Sequence, residues 1–414
     1  MKVVGIITEF NPFHKGHEYI INKAKEITKA DYCVVITSGN YVQRGEPAFV
    51  DKYTKTRIAL KHGCDLCIEL PVLFSTASAE YFSLAAVGIL DSLGIIDYLA
   101  FGVENDNLEV IENIADILNN EQIEYKNALK GFLKDGLSFP KARKQALEIV
   151  LKSDNLDFIH SPNNILALEY IKALKKTNSK ITPISIKRIN ASYHEEFLDS
   201  IQITDDTYEK RMYSASNIRK LQDDAAISLL NSFDEQYKDS FKRSYPIYTT
   251  NSFSAIAGAH LLDAVNSGAN TYFDVPDYLW DKICNNISKY TDYQSFVLLL
   301  KSKEISYTAI SRGLIHIVLG INKSDIEMSL KNNYGEYIKV LGFRQDASCL
   351  LTMIKERSSF KIITKVASYP DLLNEKSKRQ FKKCIDADNI YRLCGSIDYK
   401  SNEPNEFTRK LLTT

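Results

Sequence analysis

Two histidines, His14 and His17, flank Lys15 and Gly16 near the start of this 414-residue chain. Imidazoles at i and i+3 carry donors suited to phosphate oxygens as charge moves onto a leaving pyrophosphate. Gly16 has no Cβ, so a phosphate can come close to the backbone there. The flanking pattern favours this chemistry. The apolar run Val3 to Ile7 reads as a buried strand that Pro12 and Gly16 break, and Tyr19, Ile20, Ile21 and Ala24 then recur at helical spacing. The histidines therefore fall on a turn between a first strand and a first helix, whose free N–H groups and dipole attract anions. Two surface histidines on a loop, or two zinc ligands, are the competing readings, but no further His or Cys cluster completes a zinc set.

The elements around the turn alternate strand and helix over residues 1–110. A helix from about 17 to 28 precedes a strand at 31–37, a helix at about 51–62, a strand at 64–70, a helix at about 75–93 and a strand at 98–101. The pattern predicts an α/β fold with a doubly wound parallel sheet, in which ligands bind at the strand C-terminal ends. Those ends carry Asn11 to His17, Ser38 to Gln43, Glu69 and Gly102 to Glu104. For Glu69, burial against a Lys or Arg and catalysis are equal readings. Residues 107–180 read as mostly helical, with Pro162 at a helix start and Asn163 and Asn164 free to cap it or to bind a ligand. A strand at 181–189 follows. Tyr213-Ser-Ala-Ser216 then reads as the cap of a helix that begins Asn217-Ile-Arg219. Beyond about 225 long amphipathic stretches at about 281–301, 307–319, 346–357 and 371–384 predict a mainly helical second domain. The expected division is 1–225 and 226–414.

Composition bounds the function less tightly. The net charge is zero, so overall charge points to no partner. Residues 331–384 hold 12 Lys/Arg against 5 Asp/Glu, a basic window that suits nucleic acid or a solvated helical face. The chain start lacks a signal peptide's apolar core, and no stretch approaches 18 apolar residues, so a cytoplasmic protein without a membrane span is expected. Seven scattered cysteines fit a reducing compartment. Cys64 and Cys67 have C-x-x-C spacing but open an apolar run, which argues for buried thiols. The sequence carries no signal for oligomeric state.

The histidine turn resembles that of the HIGH-signature nucleotidyltransferases, which act on ATP at the α-phosphate and release pyrophosphate. Tyr213 to Arg219 resembles their second element, whose amides with Ser214 and Arg219 would hold the β and γ phosphates. The likeness is closer still. Glu9-Phe-Asn-Pro-Phe-His-Lys-Gly-His17, Ser38 to Pro47, Ile68-Glu-Leu-Pro71, Phe101-Gly-Val-Glu104, Ser161 to Ile165 and Ile186-Lys-Arg188 occur in order. Together they resemble the bacterial tRNA(Met) cytidine acetate ligase family. The resemblance implies that ATP and acetate form acetyl-adenylate, and that the acetyl group passes to N4 of the wobble cytidine of elongator tRNA(Met).

The resemblance also assigns residues. Ile7, Thr8, Glu9, Phe10, Asn11, Pro12, Phe13, His14, Lys15, Gly16, His17, Glu18, Tyr19 and Ile20 would wrap ATP, with His14 and His17 catalytic. Gly102, Asn163 and Arg188 would complete the nucleotide site, with Asn164 close behind Asn163. Gln43, Arg44 and Glu46 lie on a loop able to close over acetate or the base. Magnesium is expected with ATP, although no carboxylate cluster marks a metal site. The family's basic stretch appears as Lys301-Ser-Lys-Glu-Ile-Ser306, with Glu304 and Ala309 where basic residues are expected. Lys301, Lys303 and Arg312 remain as tRNA contacts. Two other readings stand beside this one: transfer of AMP or CMP to a phosphorylated small molecule, and an inert tRNA-binding relative.

Overall fold

The computed structural model describes residues 1–104, 107–120, 122–137, 139–152, 156, 161–188, 219, 248–399 and 404–414. Its strands are Val3–Thr8 (β1), Tyr32–Ser38 (β2), Tyr41–Val42 (β3), Glu46–Pro47 (β4), Leu66–Leu70 (β5), Tyr98–Val103 (β6), Thr182–Lys187 (β7), Tyr337–Phe343 (β8), Lys361–Ile363 (β9) and Leu412–Thr413 (β10). The main sheet runs β10-β8-β5-β2-β1-β6-β7, with β9 also paired to β8, and β3 and β4 form a separate hairpin. From β5 to β7 neighbouring strands are parallel, as the alternation predicts. Side chains alternate between the two faces. Val3 and Ile7 enter one apolar cluster, while Val4 and Ile6 enter the other.

Two helices on the second face set the site. Lys15–Thr28 (α1) follows β1, and Lys52–Lys61 (α2) follows the β3–β4 hairpin. Asp51 starts α2 by accepting from the backbone N–H groups of Tyr53 and Thr54. Asn11 Oδ1 accepts from Phe49 N at 2.7 Å, so the turn after β1 is tied to the segment leading into α2. Cys33, Cys64 and Cys67 are buried free thiols beneath these helices, and burial raises the Cys64 pKa well above the usual range.

Strands return after 225, where the amphipathic pattern showed only helices. β8 joins the sheet antiparallel to β5, and β9 and β10 pair parallel to β8, so the sheet is mixed. β8 reads Tyr337-Ile-Lys-Val-Leu-Gly-Phe343, and its lysine hides the strand from an apolar-run search. The stretch 281–301 is also split, into helices Asp277–Asn286 and Tyr293–Leu300 around a short 3-10 turn. The large apolar cluster runs without a break from the first sheet face into these later helices through Leu279, Phe296, Leu314 and Ile315. Among the described residues no helix is long and apolar enough to cross a membrane.

Candidate active site

His14 and His17 cap the start of α1 for each other. His14 Nδ1 accepts from Gly16 N at 3.1 Å, and His17 Nδ1 accepts from His14 N at 3.2 Å. Each Nδ1 is thus an acceptor, which puts the hydrogen on Nε2 of both rings. The rings stack with centroids 3.8 Å apart. Burial, and then the positive charges of Arg188 and Arg219, hold the His14 pKa down to about 3. Burial and then His14 hold His17 well below the usual range. The turn therefore presents two neutral N–H donors at a helix N-terminus, which is suited to an oxyanion. Gly16 serves this stack directly, because a Cβ there would stand 2.9 Å from the His14 ring.

The rest of the 7–20 stretch divides between lining and support. Phe10 and Phe13 are buried and pack on His17, with centroids at 5.0 and 5.6 Å. Phe10 has φ of 47°, and the Asn11–Pro12 peptide is cis. Thr8 Oγ1 accepts from Phe10 N, Ile7 is in the core, and Tyr19 and Ile20 pack against the second apolar cluster. Glu18 meets His62 at 3.0 Å, and Lys15 is half-buried at the first position of α1. Arg219 donates to Asn11 O, which brings it over the turn. Ser214 lies outside the described residues.

Gly102 and Arg188 meet at the C-terminal ends of β6 and β7, and Asn163 is joined to Glu104 just past the end of β6. The Arg188 stem crosses Gly102, and Arg188 N donates to Val103 O at 2.9 Å. Asn163 and Asn164 separate cleanly. Asn164 is buried and its Oδ1 accepts from Glu104 N at 3.0 Å, a brace inside the fold. Asn163 is half-buried and donates to the exposed Glu104 carboxylate, which Ser161 Oγ also reaches at 2.5 Å. Neither asparagine caps the helix Pro162–Lys176, whose N-cap is Ser161.

Glu9, at the end of β1, takes Gln43 N on Oε1 at 2.6 Å. Burial raises its pKa against the pull of that hydrogen bond, Lys55, Arg219 and Arg44. Burial likewise raises Glu46, with Arg219 and Arg44 opposing. The loop 43–46 thus folds back toward the histidine turn. It is held from behind: Ser311 Oγ and Tyr293 Oη both donate to Gly45 O.

Glu69 is structural. It lies in a buried cluster with Asp388, Glu406, Lys52 and Lys339. Lys52 Nζ stands 2.9 Å from Glu69, 2.5 Å from Asp388 and 3.3 Å from Glu406. Lys339 Nζ stands 2.8 Å from Glu69 and 2.7 Å from Glu406. The cluster ties β5, β8, α2 and the C-terminal segments together behind the site. Lys55, one turn beyond Lys52, is the residue that sequence reading passed over. It is fully buried, and its Nζ donates to Glu9 O at 2.8 Å and Ser38 Oγ at 3.3 Å.

Lys301 and Lys303 are exposed beyond the helix Tyr293–Leu300, as is Glu304. Arg312 donates from Nε to Asp274 at 3.0 Å and is half-buried, so its charge is already matched. In the basic window 331–384, Lys339 is buried, and Lys378, Arg379, Lys382 and Lys383 are paired with acids.

A family model described as HIGH Nucleotidyl Transferase matches residues 1–406. The tRNA(Met) cytidine acetate ligase of Thermoanaerobacter sp. (strain X514) is 39% identical over 399 residues, 95% of each chain. Its namesake in Clostridium perfringens (strain ATCC 13124) is 38% identical over 405 residues, covering 94% of this chain and 95% of that one. That of Acetivibrio thermocellus is 34% identical over the whole of both chains. The crystal structure of Thermotoga maritima TmcAL bound with alpha-thio ATP superposes with a TM-score of 0.87 at 27% identity, covering 100% of this chain and 99% of that one.

Proposed function

From the premise that the chain belongs to the HIGH nucleotidyl transferases, and among them to the tRNA(Met) cytidine acetate ligases, we propose that it is an ATP-dependent ligase. It activates acetate as acetyl-adenylate and transfers the acetyl group to N4 of the wobble cytidine of elongator tRNA(Met). The observation that carries the first step is the pair of neutral Nε2–H donors of His14 and His17 at the start of α1. Arg188 and Arg219 stand close enough to depress the His14 pKa, and they are the cations that a triphosphate needs.

In this reading ATP lies across the ends of β1, β6 and β7. Its nucleoside rests by Gly102 and Asn163, and its phosphates meet His14, His17, Arg188 and Arg219. A carboxylate oxygen attacks the α-phosphorus, and pyrophosphate leaves with the bonding electrons. Nε2–H donors aimed at the phosphate oxygens stabilise the charge that builds there. Magnesium would travel with the ATP. Among the described residues no group of three or more His, Cys, Asp or Glu side chains is arranged to hold a metal, so phosphate and water would supply most of its shell. Glu9 and Glu46, whose pKa values burial raises, would be the candidate bases for the proton of the cytidine amine in the second step. Lys301 and Lys303 would meet tRNA phosphates, and the enzyme would work in the cytoplasm.

The test is acetate-dependent exchange between ATP and labelled pyrophosphate, followed by nucleoside analysis of tRNA(Met) after incubation with ATP and acetate. Exchange with acetate and N4-acetylcytidine in the tRNA support the reading. Pyrophosphate release that needs a phosphorylated small molecule instead of acetate would establish the nucleotidyltransferase alternative.

A further inference from the structure

Among the described residues three lysines are buried, Lys52 and Lys55 on α2 and Lys339 on β8. Lys52 and Lys339 share the carboxylates of Glu69, Asp388 and Glu406. Lys55 has no carboxylate at ion-pair distance among the described residues, and its two hydrogen bonds go to uncharged oxygens, Glu9 O and Ser38 Oγ. An ammonium can make three such bonds. The carboxylates of Glu9, Glu69 and Asp51 act on Lys55 from beyond ion-pair distance, and burial outweighs their pull, so the ammonium has room for a closer anion. A second unsatisfied donor is tied to the same residue, Glu9. Gln43 Nε2 is buried with no partner, and Gln43 N is bonded to the side chain of the Glu9 whose carbonyl holds Lys55.

The proposed nucleoside contacts, Gly102 and Asn163, and the phosphate contact Arg188 lie on the β6–β7 side of β1. Lys55 joins the ends of β1 and β2, on the opposite side of the histidine turn. We propose that Lys55 Nζ, together with the Gln43 side-chain amide, receives the carboxylate of the acyl substrate. This rests on the adenylating role proposed above. One carboxylate oxygen attacks the α-phosphorus, forming the C–O–P link, and the bond to the β-phosphate oxygen breaks with its electrons going to pyrophosphate. The other oxygen stays on Lys55, which gives up no proton. Two anions, a carboxylate and a phosphate, must approach each other in this step, and a buried cation between them offsets their repulsion. Burial holds the Lys55 pKa down to about 7, so the arriving carboxylate would restore full charge to the group.

The experiment uses the full-length enzyme and its Lys55→Met and Gln43→Glu variants. The readouts are acetate KM in pyrophosphate exchange, ATP Kd by calorimetry, and Tm. Methionine keeps the length and removes the charge, whereas glutamate sets a like charge against the carboxylate. Both variants are expected to bind ATP within about twofold of the wild type and to lose about 10²-fold in kcat/KM for acetate. Lys55→Met loses two hydrogen bonds but also a desolvated charge, so Tm should move by no more than a few degrees. Unchanged acetate KM in both variants, or a loss confined to ATP Kd, overturns the carboxylate role. A fall in Tm with full acetate affinity assigns Lys55 to holding Glu9 and Ser38, which also overturns it. Wild-type exchange that proceeds without acetate sinks the adenylating reading itself, and that outcome is seen before any variant is compared.

Discussion

Gly45 accepts a hydrogen bond on its carbonyl oxygen from Ser311 Oγ at 2.9 Å, across 266 positions of sequence. Tyr293 Oη reaches the same oxygen at 3.1 Å. Gly45 has φ of +75°, and a Cβ there would fall 2.4 Å from Arg312 N, so the loop and the helix Tyr307–Val318 are fitted backbone to backbone. Gly45→Ala is expected to force the two apart. Acetate KM should rise about tenfold or more as Gln43 shifts, with Tm down several degrees. Ser311→Ala with Tyr293→Phe should cost about 1–3 kcal/mol, because the Gly45 carbonyl is left buried without a partner. Denaturant unfolding measures the second loss, and a cost near zero would mean that water replaces both hydroxyls.

The histidine pair gives stability a defined pH dependence. Both pKa values are depressed in the folded state, His14 to about 3, against about 6.5 in the unfolded chain. Below pH 6.5 the unfolded chain therefore binds protons that the folded one refuses. The contribution is complete above about pH 6.5 and is lost as pH falls toward 3, by up to about 1.4 kcal/mol per pH unit for each ring. Raised acids such as Glu9 and Asp388 work the other way, so the comparison must be with a variant. His14→Asn with His17→Asn keeps side-chain acceptors for the capping bonds but cannot titrate. Between pH 7 and pH 5 the wild type should lose more stability than this variant, and parallel slopes would refute neutral imidazoles. The same variant should lose about 10²-fold or more in exchange.

Lys52 belongs to a cluster in which two ammonium groups meet three carboxylates. Lys52→Met leaves Glu69, Asp388 and Glu406 to Lys339 alone. Breaking a buried pair from one side costs about 3–5 kcal/mol, much of it for the charge left behind. Asp388 lies closest to Lys52, and burial already pushes its pKa up to about 7. Adding Asp388→Asn to Lys52→Met should therefore recover a large part of the loss. Chemical denaturation of the single and double variants measures the recovery. No recovery would mean that Glu69 and Glu406 carry the strain.

The histidine turn was legible because its chemistry is local. A strand, a Pro–Gly break and a helix lie within 28 residues, and the capping bonds join residues two and three apart. The parallel pairing of β1, β2, β5, β6 and β7 followed from alternation, since parallel strands need crossovers. What stayed hidden depends on distant partners. The expected helix at about 51–62 carried no sign that its lysines are buried, yet Lys52 meets Asp388 of the helix Glu375–Tyr399 and Lys55 meets Glu9 and Ser38. Asn163 and Asn164 were indistinguishable by type, and only the helix phase against Glu104 separates them. β8 escaped notice because its lysine and glycine broke the apolar run, while its pairing with β5 links segments far apart in sequence.

The same long-range view sorts the basic residues proposed for tRNA. Lys301 and Lys303 are exposed just past the helix Tyr293–Leu300, whereas Arg312 is matched by Asp274 and packs beneath Gly45. Lys301→Ala and Lys303→Ala should each weaken tRNA binding uniformly across sequence and lower the salt slope by about 1. Neither should touch acetate-dependent exchange, because the adenylating residues lie on other elements. Arg312→Ala should do the reverse. It frees Asp274 and loosens the helix behind the loop 43–46, so exchange falls while the salt slope holds. Filter binding of tRNA(Met) at several salt concentrations, with exchange assayed on the same preparations, separates the two patterns. A reduced salt slope for Arg312→Ala would mean that its guanidinium leaves Asp274 for a phosphate when tRNA binds.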